Sequence, residues 1–158
     1  PLESLPWTVV LAALFQLIVS STVLVVYVFL LKAELSWTVV FLPVPFVALA
    51  LMMLAIAWLV SATAVFVRDV AQVVDLATVG LLFLSPIFFP VSALPDMLQP
   101  FIYMNPLSFI VEQVRAILLY GEIPDLVGLS QYGVISLIAC RISLGWFRRL
   151  RPGFADVI

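Results

Sequence analysis

LSPIFFPVSALPDMLQPFIYMNPLSFIVEQVRAILLYG, running from Leu84 to Gly121, is apolar almost throughout and yet is cut by Pro86, Pro90, Pro95, Pro100 and Pro106. Each proline lacks a backbone donor and crowds the preceding turn, so it opens or ends a helix and does not sit inside one. The stretch is too broken for one transmembrane helix and too apolar for a solvated loop. Pro95 fits a first helical position, which predicts a short helix over 95–103. Asn105 reads as an N-cap with Pro106 just inside it, and Gly121 as a left-handed C-cap, which predicts a second helix over 106–120. Ser85-Pro86 bends the chain where it leaves the preceding apolar run. Irregular backbone at membrane depth persists only when buried in protein or lining a wet cavity. The segment 95–121 is therefore expected to be a re-entrant or interfacial helical hairpin before the last span.

Composition makes that environment a membrane. Of the 158 residues, 65% are hydrophobic and 10% charged, with a mean hydropathy of +1.28. No soluble domain of this length hides so much apolar surface, so the fold class is an all-α integral membrane protein. The net charge of −2 offers no basic surface for nucleic acid, there is no histidine, and the single cysteine, Cys140, excludes an internal disulfide framework. Pro1 stands where an initiator methionine would, without a signal-peptide pattern, so the chain is expected to be a fragment lacking its own start.

Outward from the hairpin, four apolar runs approach the roughly 20 helical residues needed to cross a bilayer core. They are 7–31, 43–67, 70–89 and 126–147. Lys32 to Glu34 makes the first polar turn, with Trp37 as an interfacial anchor, and Arg68 and Asp69, with Gln72 and Asp75, form the compact charged connection before the third run. Arg141 lies two turns before Arg148, about 10 Å deeper, and either snorkels to the interface or faces the protein interior. Basic residues near the span ends set orientation. A cytoplasmic C-terminus puts Arg68, Arg148, Arg149 and Arg151 inside and the hairpin outside, where Glu112 can pair with Arg115 one turn later.

The chain offers little covalent chemistry. Clustered metal ligands are missing, no histidine can serve a catalytic triad, and the lone lysine, Lys32, follows no glycine-rich phosphate loop. Four ordered stretches do carry a resemblance: FVRDVAQVV from Phe66, LSPIFFPVSALPDML from Leu84, NPLSFIVEQVRAILLYG from Asn105, and FRRLRPGFADVI from Phe147. Together they resemble the permease subunit of type-2 ABC exporters, in the polysaccharide and polyol-phosphate branch that carries O-antigen, capsule or teichoic acid precursors. PLESLP at the start also resembles the segment joining that family's second and third spans. Family permeases have six spans, so the resemblance implies that an amphipathic segment and two spans are missing here.

That resemblance carries further expectations. Coupling to a separate ATP-binding subunit would fall on Glu3 and its neighbours and on Arg68, Asp69 and Gln72, although Arg68 and Asp69 equally suit capping and holding their loop. The hairpin would lie at the exit. Its structure would rest on Pro86, Pro95, Asn105, Pro106, Glu112, Arg115 and Gly121. Phe83, Phe88, Phe89, Phe101 and Tyr103 would be candidates for a glycan path, against the general gathering of aromatics at interfaces. The chain itself would hold no cofactor, with ATP and Mg on the partner. Expected partners are that ATPase, a second permease copy forming a homodimer, membrane lipid and a lipid-linked glycan, in the bacterial cytoplasmic (inner) membrane. Alternatives are a permease of the same superfamily for drugs or lipids, a membrane-embedded enzyme, and a purely structural membrane subunit.

Overall fold

Helix α2 (Pro43–Ala64) is the axis of the molecule. In a computed structural model, which describes residues 4–32, 36–87, 89 and 91–156, it packs along most of its length on α6 (Leu126–Leu150) and more lightly on α1 (Leu5–Lys32). Between α2 and α6 run α3 (Val70–Phe83), α4 (Gln99–Tyr103) and α5 (Pro106–Arg115). Short 3-10 segments occupy Trp37–Phe41, Val91–Ala93 and Arg151–Asp156. No strand occurs among the described residues.

The seam between α2 and α6 is built from small side chains. Ala48, Ala55 and Ala62 recur every seven residues on α2 and are buried; Ser136, Cys140 and Ser143 are buried on α6. Ala55 and Ala62 join Leu54, Trp58, Cys140, Phe147 and Val10 of α1 in one core cluster. Lipid tails are as apolar as leucine, so helices associate in a membrane through close approach and polar contacts more than through hydrophobic drive. Cys140 supplies one such contact, its thiol donating to the Leu51 carbonyl at 2.9 Å. A second cluster, of Ala48, Leu49, Ile110 and Leu129, fixes α5 against both long helices.

Hydroxyls inside the apolar helices are kept out of hydrocarbon by bonding back to their own backbone. Thr22, Thr63, Thr78 and Ser136 each donate to the carbonyl four residues earlier, at 2.7 to 2.8 Å. Three helices reach spanning length: α1, α2 and α6 have 28, 22 and 25 residues, about 33 Å or more at 1.5 Å per residue.

Three expected boundaries are corrected. The helix predicted over 70–89 stops at Phe83 after 14 residues, about 21 Å, because Pro86 has no N–H and disfavours helical backbone before it. The first hairpin helix begins at Gln99, with Pro100 and not Pro95 in its opening turn; Pro95 instead starts the preceding turn, where its carbonyl accepts from Leu98 N at 2.9 Å. The second is α-helical only to Arg115 and continues as a π-helical turn, Ala116–Tyr120.

The two ends of the bundle differ. At one end the C-terminal 3-10 segment returns to the α2–α3 turn, where a Cβ on Gly153 would sit 3.2 Å from the Phe66 ring. Trp7 meets Trp58 edge to face toward the same end, with ring centroids 6.0 Å apart. At the other end, Gly121 abuts Ser36 and Thr38 touches Ile117.

Candidate functional site

Two places gather the residues singled out in the sequence. The first is the end of α3, where the broken helix meets the hairpin. Leu84 N still bonds to Gly80 O in helical register, but Ser85 N turns to Leu82 O at 3.3 Å. The Leu81 carbonyl is thereby left without its usual amide. A buried carbonyl must find another donor, and it finds two: Ser85 Oγ donates to it at 2.6 Å and Asn105 Nδ2 at 3.0 Å.

Asn105 is the N-cap of α5, its Oδ1 accepting from Leu107 N at 2.9 Å. Pro106 occupies the first turn, where its missing N–H leaves nothing unsatisfied. The same Asn105 amide also donates to Ser85 Oγ at 2.8 Å. Ser85, Pro86 and Asn105 are all buried.

Arg115, at the far end of α5, closes the cluster. Its guanidinium pairs with Glu112 at 2.7 Å and donates to the Pro86 carbonyl. Glu112 Oε1 in turn accepts from Val91 N at 3.4 Å. One turn of α5 therefore holds the chain on both sides of the 86–91 break. Charge-assisted bonds of this kind are roughly twice as strong as neutral ones, and the Arg115 side chain is only 12% exposed.

A second set of contacts seats the hairpin on the long helices. Gly121 has φ +67°, which only glycine adopts without penalty, and lets its own amide and that of Glu122 reach Ala116 O. This widened π register frees the Ile117 carbonyl, and the fully buried Thr38 hydroxyl donates to it at 2.9 Å. Asp125 caps α6 through Gly128 N at 2.9 Å, while its own N–H donates to Gln113 Oε1 at 2.7 Å. Tyr132 stacks on Phe109 and donates its hydroxyl to Pro106 O at 3.0 Å.

The second place is the α2–α3 turn at the opposite end. Arg68, Asp69 and Gln72 are exposed together, as is Asp75 one turn further on. Asp69 stands at the N-cap position of α3 but makes no side-chain capping bond. Helix α3 between the two places contributes no buried residue.

Glu3 and Phe88 lie outside the described residues, as does the Phe101 side chain. Phe83 and Tyr103 are exposed and Phe89 is half-buried. Ring contacts among the described residues include Trp7–Trp58, Trp37–Phe41 and Phe109–Tyr132. Sequence reasoning missed Ser85, Thr38 and Gln113 as the residues that tie the hairpin to its neighbours. Their signal was only the polarity of isolated side chains in apolar runs.

An all-helical bundle with a broken helix, a polar-stitched hairpin at one end and a charged turn at the other suits a transport membrane component. The ABC-2 type transporter family profile matches residues 2–119, and the chain belongs to that family, as a multi-pass membrane protein. It is similar to the O-antigen export system permease protein RfbA of Myxococcus xanthus, with 24% identity across the whole of this chain. The chain spans 62% of that relative's length.

Proposed function

We propose that this chain is the transmembrane subunit of an ATP-driven exporter that moves a lipid-linked polysaccharide or polyol-phosphate polymer outward across the cytoplasmic membrane. The observation that carries the reading is similarity to an O-antigen export permease along the entire chain. The geometry supports it in two ways. The exposed Arg68, Asp69 and Gln72 lie at the end that also carries the basic tail of α6, the arrangement expected for a cytoplasmic face. The hairpin lies at the other end, where an exit belongs. ATP and Mg would be bound by a partner subunit docking at the α2–α3 turn, and two permease copies would enclose the path.

In this mechanism the chain performs no covalent step. Closure of the ATPase pushes on the turn, α2 and α3 move, and the hairpin follows through Asn105 and Arg115. The decisive experiment is purification of the full-length protein from membranes in mild detergent, with mass spectrometry of co-purifying chains, alongside analysis of cell-envelope glycan after deletion. A Walker-motif ATPase in near-equal amount, with undelivered lipid-linked glycan in the deletion strain, is the expected result. An accompanying ATPase with normal surface glycan would redirect the cargo to drugs or lipids. Absence of any ATPase would defeat the exporter reading itself.

A further inference from the structure

Arg141 is not used by anything described so far. It sits in the spanning helix α6, about 10 Å from Arg148 along the axis, and its side chain is exposed on the outer face of the bundle. Val134, Ile135, Leu137, Ile138 and Ile142 share the exposed surface around it, each more than half exposed. Among the described residues no carboxylate meets Arg141. A cation on a lipid-facing surface is unfavourable without an anionic partner.

The next residues along the i, i+4 ridge are Gly145 and Arg149, the latter also exposed. A Cβ on Gly145 would meet nothing within 4 Å, so the helix presents a gap with a guanidinium on either side. Helical side chains lean toward the N-terminus, which brings Arg149 over Gly145. Arg141 must extend against that lean to reach the interface, and the missing side chain at 145 leaves it room to do so. Trp146, partly exposed beside the gap, has the amphipathic ring that prefers headgroup depth. The gap lies more than a turn from the helix end at Leu150, beyond the strongest part of the C-terminal dipole that would repel an anion.

We propose that Arg141, Gly145 and Arg149 form a seat for the phosphate of a membrane lipid headgroup, with the acyl chains lying along the exposed aliphatic face of α6. Two guanidiniums converging on one phosphate supply paired donors in the geometry that such groups favour. Of the possible sources of phosphate, the bilayer is favoured by the aliphatic residues surrounding Arg141. The proposal requires that α6 crosses the membrane with this face toward lipid, and stands apart from the choice of cargo.

The test is native mass spectrometry of the full-length protein, purified from membranes and titrated with phosphatidylglycerol, diacylglycerol or inorganic phosphate. Retention of phosphatidylglycerol without diacylglycerol, and without displacement by inorganic phosphate, is expected. Arg141→Gln and Arg149→Gln should each lower retention about fivefold, and Arg141→Lys by less. Gly145→Leu keeps both charges and should lower it as much as the arginine variants, whereas Arg68→Gln should leave it unchanged. Equal retention of diacylglycerol, full retention by Gly145→Leu, or an equal loss in Arg68→Gln would overturn the seat in favour of apolar contact or diffuse attraction. Loss of a co-purifying protein and not of lipid in Arg141→Gln would likewise overturn it. Circular dichroism and thermal melts on every variant separate misfolding from lost binding, and Arg141→Lys, expected to fold, keeps the comparison decisive.

Discussion

Asn105 uses both ends of one amide: its oxygen caps α5 and its nitrogen holds Leu81 O and Ser85 Oγ. Asn105→Asp keeps the capping oxygen and nearly the same shape but removes both donations and turns an oxygen toward the Leu81 carbonyl. It should destabilise the protein by about 2 to 4 kcal/mol, read as a lower melting temperature in detergent, and a melting point within a degree of wild type would refute the clamp. Glycines give a contrast of the same kind. A Cβ at Gly128 would sit 2.7 Å from the Phe109 ring and 2.5 Å from Asp125 Oδ2, whereas at Gly133 it would meet nothing within 4 Å. Gly128→Ala should therefore lower the melting temperature clearly, and Gly133→Ala should leave it unchanged or raise it, the helix propensity difference favouring alanine by up to about 1 kcal/mol. The cap at Asn105-Pro106, the left-handed Gly121 and the Glu112–Arg115 pair were legible in the sequence because each is a local signal, decided within a turn. The Asn105–Ser85 bond joins residues 20 apart and the Thr38–Ile117 bond residues 79 apart. No periodicity encodes such partners.

Among the elements, the seam between α2 and α6 tolerates little added volume. Ala55 and Ala62 lie at its centre, 2% and 0% exposed. Replacing Ala62 with leucine should cost about 1 to 3 kcal/mol by overpacking, while Ile56→Leu, on the exposed side of α2, should be nearly neutral; equal melting points for the two would mean that the helices do not meet along this line. The π-helical turn makes a separate prediction. Thr38→Val fills the same space but leaves the Ile117 carbonyl buried and unserved, and hydrogen exchange over 116–122 should quicken relative to α2. The sequence located the long helices well, since twenty apolar residues permit little else. It overran α3 because the apolar pattern continues past Ser85, and hydropathy does not register a lost N–H at Pro86. Widening of the last turn of the hairpin helix was equally invisible, since no local pattern announces that the Ile117 carbonyl will be served by Thr38.

Across the whole molecule, the α2–α3 turn and the C-terminal segment share one end and the hairpin tip the other. With a cytoplasmic C-terminus, a membrane-impermeant maleimide should label Glu122→Cys in intact cells and Asp69→Cys only after permeabilisation. The opposite pattern would invert the topology and remove the turn from reach of a cytoplasmic ATPase. The candidate coupling residues were readable as a charged cluster between apolar runs, but their functional role came from resemblance and not from their chemistry. Path aromatics were readable only as interface-loving rings, and the exposure of Phe83 and Tyr103 suits either role.

Helix α3 carries a consequence for the surrounding membrane. Its 14 residues reach about 21 Å, some 9 Å less than a typical hydrocarbon core, and its side chains at Val73, Leu76, Val79 and Phe83 are exposed along the way. Where α3 faces lipid, the bilayer beside it would meet a hydrophobic mismatch and would thin to bring its headgroups down toward the Ser85–Asn105 clamp. The dimple would lower the distance that a polar headgroup must travel at that side of the protein. Membranes of long-chain lipid would resist forming it.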